Sequence, residues 1–431
     1  MQKITPKSAT NGSLGPGDVV SFADVKGDDG HTDVVTSTNP APFDGNGTVT
    51  TLNENTGGFI TMSVRNWHFG LHDFSGNYMA ATGWLHVTAP SPTAYVVSTN
   101  GSTGAGVVTP INTATNLAGN VITVGSFPQA IVITPNGATA YVVDEGSNNI
   151  IPINTQTNTA EPAIPVGNHP VAIAITPDGK TAYVANGGAE TVTPVNVASN
   201  TAEAAISIGI QPIVLAVTPN DETVYATGWN PSTSSFDAVP IDIATDTVGT
   251  LIPVGDEPYS MVITPNSSTV YVANGGSDSV TPIDTATNTA GAAIPVGIGP
   301  YAIAVTPDGE TVYVANETSG SVTPIATSTN SPGTPISVGA GPDFIAFTPD
   351  GGVAYVANWN SETVTPIQTA TGVPGPAIAV GGSAAVIAIT PNGSTAYTMN
   401  SSGTVVPIQT TTNTTGNAIT IQNQPVAMAI T

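Results

Sequence analysis

The sequence predicts an all-β chain, most of which is a closed ring of small four-stranded sheets. Three observations lead there. A tyrosine recurs at Tyr95, Tyr141, Tyr183, Tyr225, Tyr271, Tyr313, Tyr355 and Tyr397, at spacings of 46, 42, 42, 46, 42, 42 and 42 residues. Each interval holds four short runs of β-branched and aromatic residues, separated by Gly, Asn, Asp and Pro. No window carries the 3.6-residue apolar period of an amphipathic helix.

One unit, Pro170 to Gly209, shows how each element arises. Val171 to Thr176 (VAIAIT) is apolar on both faces, as an inner strand packed between neighbours must be. Pro177-Asp178-Gly179-Lys180 is a turn, with proline presetting φ and Asp-Gly supplying a side-chain acceptor and a permissive backbone. Thr181 to Asn186 (TAYVAN) is the second strand, Gly187-Gly188-Ala189 a turn, and Thr191 to Val195 (TVTPV) the third strand. Asn200-Thr201 marks another turn, and Ala205 to Ile208 (AISI) is the fourth strand. Four strands in about 42 residues is the size of one β-propeller blade. Helical repeats fail on composition, and a β-solenoid needs shorter coils. Pro165, Pro253 and Pro295 fall in the outer run, where an edge strand need not donate every backbone bond.

The chain ends Gln424-Pro425-Val426-Ala427-Met428-Ala429-Ile430-Thr431, a copy of the inner-strand phrase that then stops. The first unit has only a poor inner strand of its own, Trp84 to Thr88. The C-terminal strand is therefore expected to complete the first blade and close the ring, leaving no open sheet edge. This gives eight four-stranded blades, with seven blades and a spare unit as the alternative.

The units Tyr183-Val184-Ala185-Asn186, Tyr271-Val272-Ala273-Asn274, Tyr313-Val314-Ala315-Asn316 and Tyr355-Val356-Ala357-Asn358 resemble the YVTN-type propeller repeat of surface-layer proteins, as does Pro282 to Thr289 (PIDTATNT). The resemblance covers residues 90 to 431 and implies the fold. It implies little about activity, because propellers host many roles. The sequence departs from that family at one place in every unit: Pro110, Pro152, Pro194, Pro240, Pro282, Pro324, Pro366 and Pro407 sit in the third strand. Proline removes a ladder donor, so either a bulge or a gap in pairing is expected there.

Residues 1 to 85 do not match the repeat and are read as a small N-terminal β-domain, with residues 86 to 431 forming the propeller. Strands are expected at Asp18 to Phe22, Asp33 to Thr38, Thr48 to Leu52, Phe59 to Val64 and Met79 to Val87. The aromatics Phe59, Trp67, Phe69, Phe74, Tyr78 and Trp84 suit its own core first and an interface second.

The chain of 431 residues carries 29 acidic residues against 5 Lys plus Arg, a formal net charge of −24. A nucleic-acid binder needs a basic footprint, which is missing, and docking on an anionic membrane is disfavoured for the same reason. Cysteine is absent, which excludes disulfides and thiolate chemistry. No stretch is long and apolar enough for a membrane span. The first residues, Met1 to Ser8, contain no apolar signal-peptide core.

Candidate chemistry is sparse. His68 and His72 would lie about 13 Å apart on a strand, too far for one metal. Asp28 to Asp33 lacks the full spacing of a calcium loop. Asp178, Asp308 and Asp350 recur in identical turns and are read as turn formers. No catalytic set, metal site or cofactor is expected, so the protein is read as non-enzymatic. Two units carry four extra residues between second and third strands, at Asn100 to Val107 and Trp229 to Phe236, on the ring face that also holds the blade-to-blade loops. Loops on a rigid scaffold are where binding evolves, so Trp229, Phe236 and Trp359 are the candidate ligand-binding residues. Asn46, Asn266, Asn316, Asn392 and Asn413 head glycosylation sequons.

The resulting expectation is a structural or binding protein of an exterior assembly: a virion decoration or tail component, a surface layer or an appendage. Residues 1 to 85 would anchor it to copies of itself or to other subunits, and the propeller would face cell-surface glycans or proteins, at an extracellular surface or on a virion. A soluble carbohydrate- or protein-binding propeller is the second reading, and a propeller hydrolase or oxidoreductase the third.

Overall fold

A computed structural model describes residues 92–431 in full and three strands, Val34–Asn39, Asn46–Leu52 and Phe59–Arg65, of the preceding region. The chain divides into two compact units, Met1–Ser91 and Pro92–Thr431. In the first, the three strands form an antiparallel sheet with the middle strand central. They fall on three of the five runs expected there. The runs at 18–22 and 79–87, the aromatics Trp67, Phe69, Phe74, Tyr78 and Trp84, the histidines at 31, 68, 72 and 86, and the Asp28 to Asp33 loop lie outside the described residues.

The second unit is an eight-bladed β-propeller. Its inner strands are Pro128–Ile133, Pro170–Ile175, Gln211–Val217, Pro258–Ile263, Pro300–Val305, Pro342–Phe347, Ala384–Ile389 and Gln424–Ile430, each packed against the next around a complete circle. The blade containing Thr93–Thr99 takes Gln424–Ile430 as its inner strand, with Tyr95 opposite Ala429 and Thr99 opposite Gln424. The closure is fastened at its end, where the Thr431 amide donates to the Thr93 carbonyl at 3.1 Å and the Thr93 amide to Thr431 Oγ1 at 2.8 Å. Blades are numbered below by their tyrosine, from Tyr95 in blade 1 to Tyr397 in blade 8.

The core is eight small cores, each shared by two adjacent blades. Tyr183, Ala185 and Val192 of blade 3 pack with Leu215, Val224 and Ala226 of blade 4, and Tyr397 and Met399 of blade 8 pack with Ala94, Val96 and Met428 of blade 1. A blade alone could bury neither face, which is why the repeat needs the ring.

The third-strand proline produces a gap in pairing. Register runs unbroken between second and third strands, with Pro194 opposite Tyr183, so no bulge forms on that side. On the other side the outer strand is split: Thr201–Ala202 pairs with Val195 and Asn196, and Ile206–Ser207 with Thr191 and Val192. Proline lies at the break, where its missing N–H leaves no acceptor unmet. Its carbonyl is still used, accepting the Glu203 amide at 2.8 Å in blade 3 and the Gly291 amide at 2.7 Å in blade 5. Thr201, expected in a turn, is thus the start of the outer strand. Blade 4 keeps only Ile252–Pro253 and a single Ile241–Val248 bridge there.

The recurrent tyrosine is a clamp between blades. Each is buried, and in six of the eight the hydroxyl crosses to the turn before the outer strand of the next blade, where an asparagine sits in the left-handed region; in blade 4 that position is Asp246. Tyr95 donates to Asn158 Oδ1 at 2.6 Å, Tyr225 to Asn288 at 2.5 Å, Tyr271 to Asn330 at 2.6 Å and Tyr355 to Asn413 at 2.7 Å. Tyr397 donates to Asn116 at 2.5 Å across the closure. Those asparagines have φ between 52° and 55°, a conformation that asparagine tolerates better than most residues. Burial pushes the Tyr95, Tyr225, Tyr355 and Tyr397 hydroxyls up to about 12, so they remain neutral donors at neutral pH. In blade 7 the asparagine is replaced by Gly372, and Tyr313 keeps only a 3.4 Å contact to the Thr369 carbonyl. Tyr271→Phe is therefore expected to cost about 0.5–1.5 kcal/mol. Tyr313→Phe should cost clearly less, both read as shifts in urea unfolding midpoints.

Two sequons are occupied structurally. Asn316 is fully buried, and Asn413 holds the Tyr355 hydroxyl. Asn266 and Asn392 are exposed in turns between inner and second strands.

Candidate functional site: the mouth of the central channel

Alternation of strand direction sorts the loops of a blade onto two faces. Turns between inner and second strands share one face with turns between third and outer strands. Turns between second and third strands share the other with the loops leading into the next blade.

On the first face the turns are structural throughout. Asp178 Oδ1 accepts from Thr176 Oγ1 at 2.8 Å and from the Lys180 amide at 3.0 Å, and Asp308 and Asp350 repeat the arrangement. These bonds hold the Asp308 and Asp350 carboxyls below the usual range. Lys180, the one basic residue after Arg65 apart from histidine, pairs with Asp178 at 2.7 Å. The Asp-Gly motif is accounted for by turn geometry, with Gly179 at φ 70°.

The second face surrounds one mouth of the channel, and here the repeat is broken. Seven inner strands carry an extra residue just inside their start, where the ladder skips a position: Gln129, Val171, Ile213, Tyr259, Tyr301, Asp343 and Val426. In blade 8 the shift spans Ala385 and Val386. A bulge frees a side chain from the sheet and re-aims it. Tyr259, Tyr301 and Ile213 are accordingly 44%, 42% and 40% exposed, large apolar surface presented to solvent. Just outside them, Glu145, Gly187, Gly275, Glu317, Trp359 and Ser401 open the next turn in their blades. The two rows interlock, because the Tyr259 ring occupies the space a Cβ on Gly275 would need.

Blades 5 to 7 carry the densest set. The Tyr259 and Tyr301 rings lie 5.2 Å apart at 39°. The Tyr259 hydroxyl donates to Glu257 Oε2 at 3.0 Å. Burial, reinforced by the charge of Glu317, pushes the Asp343 carboxyl up to about 8. Burial first, then Asp343 and Glu317, raises the Tyr301 hydroxyl above its ordinary value. Asp343 Oδ1 is buried without a hydrogen-bond partner. Across the ring, Glu145 accepts from the Gln129 side-chain amide and contacts His169 Nδ1 at 2.6 Å.

The residues chosen from sequence all lie on this face. Trp229 and Phe236 face each other across the extended hairpin of blade 4, with centroids 5.1 Å apart at 68°, and each is half-buried by the other. Trp359 is 37% exposed three blades further round, in blade 7. The other long turn, at Asn100 to Val107, is covered by Phe127, whose ring fills the space beside Gly104. Tyr259, Tyr301 and Asp343 were missed. Their signal is the position after the inner-strand proline, which reads Gln, Val, Ile, Tyr, Tyr, Asp and Val while the proline itself is kept.

Among the described residues no three His, Cys, Asp or Glu side chains are grouped to hold a metal, and no helix is long and apolar enough to cross a membrane. The fold and its uneven mouth define an eight-bladed β-propeller. No family model and no curated protein sequence matches the chain. Solved structures do match in shape. Hydrazine synthase of Kuenenia stuttgartiensis is 23% identical, with a TM-score of 0.53 over 66% of this chain and 98% of that one. The dihydro-heme d1 dehydrogenase NirN, in complex with DHE, is 13% identical, with a TM-score of 0.68 over 80% and 76%. Apo AztD from Citrobacter koseri is 12% identical, with a TM-score of 0.61 over 80% and 98%. At these identities the likeness is one of fold alone.

Proposed function

We propose that this is a non-catalytic binding propeller whose ligand surface is the mouth described above, displayed by an exterior assembly through its N-terminal unit. One observation carries the binding reading: the bulge and turn positions around that mouth differ from blade to blade in size and chemistry and bring large aromatic side chains to the surface on one side of it. A ring kept only for structure has no reason to vary there and to expose Tyr259, Tyr301 and Trp359 together. The non-catalytic reading is supported by His169 and Lys180 being the only such residues after position 86, each beside a carboxylate. The placement in an exterior assembly, in a surface layer, an appendage or a virion, rests on composition and on the YVTN-type phrases.

The test is adhesion of the fluorescently labelled full-length protein to native surfaces of its source. Tyr301→Ala combined with Trp359→Ala should lower binding at least about tenfold, the scale at which aromatic anchors act, with an unchanged melting temperature. Asp308→Asn on the opposite face should leave binding intact. Equal loss from both variants would sink the mouth as the ligand surface. Electron microscopy of native material tests the assembly separately.

A further inference from the structure

We infer that the mouth over blades 5 to 7 binds an organic cation, an alkylated ammonium group held against the faces of Tyr259 and Tyr301 and neutralised by Asp343 and Glu317. This rests on the reading of the mouth as the ligand surface and specifies its chemistry.

The argument starts from the aromatic pair. Two tyrosine rings 5.2 Å apart, inclined at 39° and each more than 40% exposed, form a half-exposed aromatic corner. Both come from the same bulge position of adjacent blades, so the rigid ring fixes their spacing. Such a corner suits an apolar body of a few carbon atoms. Faces of this kind attract a cation through the ring quadrupole, most strongly when the cation is weakly hydrated.

The third consecutive bulge position is Asp343, and Glu317 opens the turn between the second and third strands of blade 6, the blade of Tyr301. Glu257, bonded to the Tyr259 hydroxyl, completes the acidic side. No Arg or Lys occurs anywhere in residues 92–431 except Lys180, which is engaged on the opposite face. The lone histidine, His169, contacts Glu145 in blade 2. Among residues 92–431, then, Asp343 and Glu317 have no basic partner. Asp343 Oδ1 is buried without a partner, although buried polar atoms are ordinarily satisfied. A cation at the corner would relieve the Asp343–Glu317 repulsion, and the net charge of −24 favours its approach. A neutral sugar would use the ring faces but leave the carboxylates uncompensated.

The groups facing Asp343 are Tyr301 and Glu317, with Glu257 and Tyr259 beyond them. All are neutral or anionic, so a bound cation favours ionised Asp343, and cation affinity should rise between about pH 6 and pH 9.

The experiment is a saturation-transfer NMR titration of the full-length protein with choline, its neutral isostere 3,3-dimethyl-1-butanol, and maltotriose. Choline should bind saturably, about tenfold tighter than the isostere, and more tightly at pH 9 than at pH 6. Asp343→Asn should remove most of that preference and its pH dependence. Tyr301→Leu should weaken binding, while Tyr301→Phe, which keeps the ring face, should retain it. Equal affinity for choline and its isostere, binding of maltotriose alone, or no saturable choline binding by the folded protein would each overturn the inference. Adhesion that survives such a result would leave the mouth as ligand surface standing.

Discussion

Deletion of Gln424–Thr431 is expected to abolish the cooperative folded state of the propeller, or to lower its melting temperature by more than about 15 °C. The segment is the inner strand of blade 1. Its removal opens the ladder from Thr93 to Thr99 and unpacks two cores at once. Met428 and Ile430 pack with Tyr397 and Met399 of blade 8, whereas Val426 and Ala427 pack with Tyr95, Val97 and Val142. Losing four apolar side chains and the contacts they make removes about 5–10 kcal/mol, comparable to the whole stability of a typical domain. The remaining edge, apolar and unpaired, is also a template for association. Circular dichroism melts and light scattering of the truncated chain check this, and a synthetic Gln424–Thr431 peptide should restore part of the melting temperature in trans. An unchanged melt and a monomeric truncated protein would contradict the closure seen at Thr93 and Thr431.

The success of the C-terminal reading and the failure to foresee the tyrosine clamp have one physical cause. Strand phrases, turn residues and the missing inner strand of the first unit are local, and local pattern reaches sequence directly. The clamp joins Tyr271 to Asn330, 59 residues onward and in another sheet. The tyrosine could be seen to recur, and the asparagine could be seen as a turn residue, but nothing local pairs them. The third-strand proline is intermediate: its missing donor was legible, while the choice between bulge and gap depended on the outer strand splitting around it. At the mouth, length insertion pointed to Trp229 and Phe236, yet these largely cover each other. Tyr259, Tyr301 and Asp343 arise without any insertion. They become prominent because the bulge turns them out of the sheet, and bulges are invisible in a strand of ordinary composition.

The second large effect concerns a residue that breaks the repeat inside the wall. Where five blades end their second strand with Asn186, Asn274, Asn316, Asn358 or Asn400, blade 2 has Asp144. The asparagine Nδ2 donates across the ladder in blades 3, 5, 6 and 7, while Oδ1 of Asn186, Asn274 and Asn358 is buried without a partner, and of these four only Asn316 is latched on both sides. In Asn316, Oδ1 accepts the Gly297 amide of the incoming loop at 3.1 Å while Nδ2 donates to Thr323 Oγ1 at 2.9 Å. Asp144 keeps the first bond, accepting the Gly125 amide at 3.0 Å, but has no donor for the second. Its Oδ1 is buried without a partner, as is Oδ1 of Asn149, the residue opposite it in the ladder. Burial pushes the Asp144 carboxyl up to about 7, against the smaller lowering effect of the Gly125 amide. A folded-state value above the unfolded value of 3.8 means that the fold favours the protonated form. The stabilisation is fully present below about pH 4 and is lost as pH rises through about 7, beyond which Asp144 is a buried, half-satisfied carboxylate. Asp144→Asn supplies the missing donor at the position where Asn186 Nδ2 reaches Thr191 Oγ1 at 3.1 Å, with Asn149 now opposite. The variant is expected to be about 1–3 kcal/mol more stable than the parent at pH 8, below the roughly 4 kcal/mol that the full shift would represent. That advantage should shrink toward zero by pH 4. Urea unfolding of both proteins across this range measures the difference directly. A gain independent of pH would assign the effect to packing, and a loss at pH 8 would show that the charge at Asp144 is satisfied in the native protein.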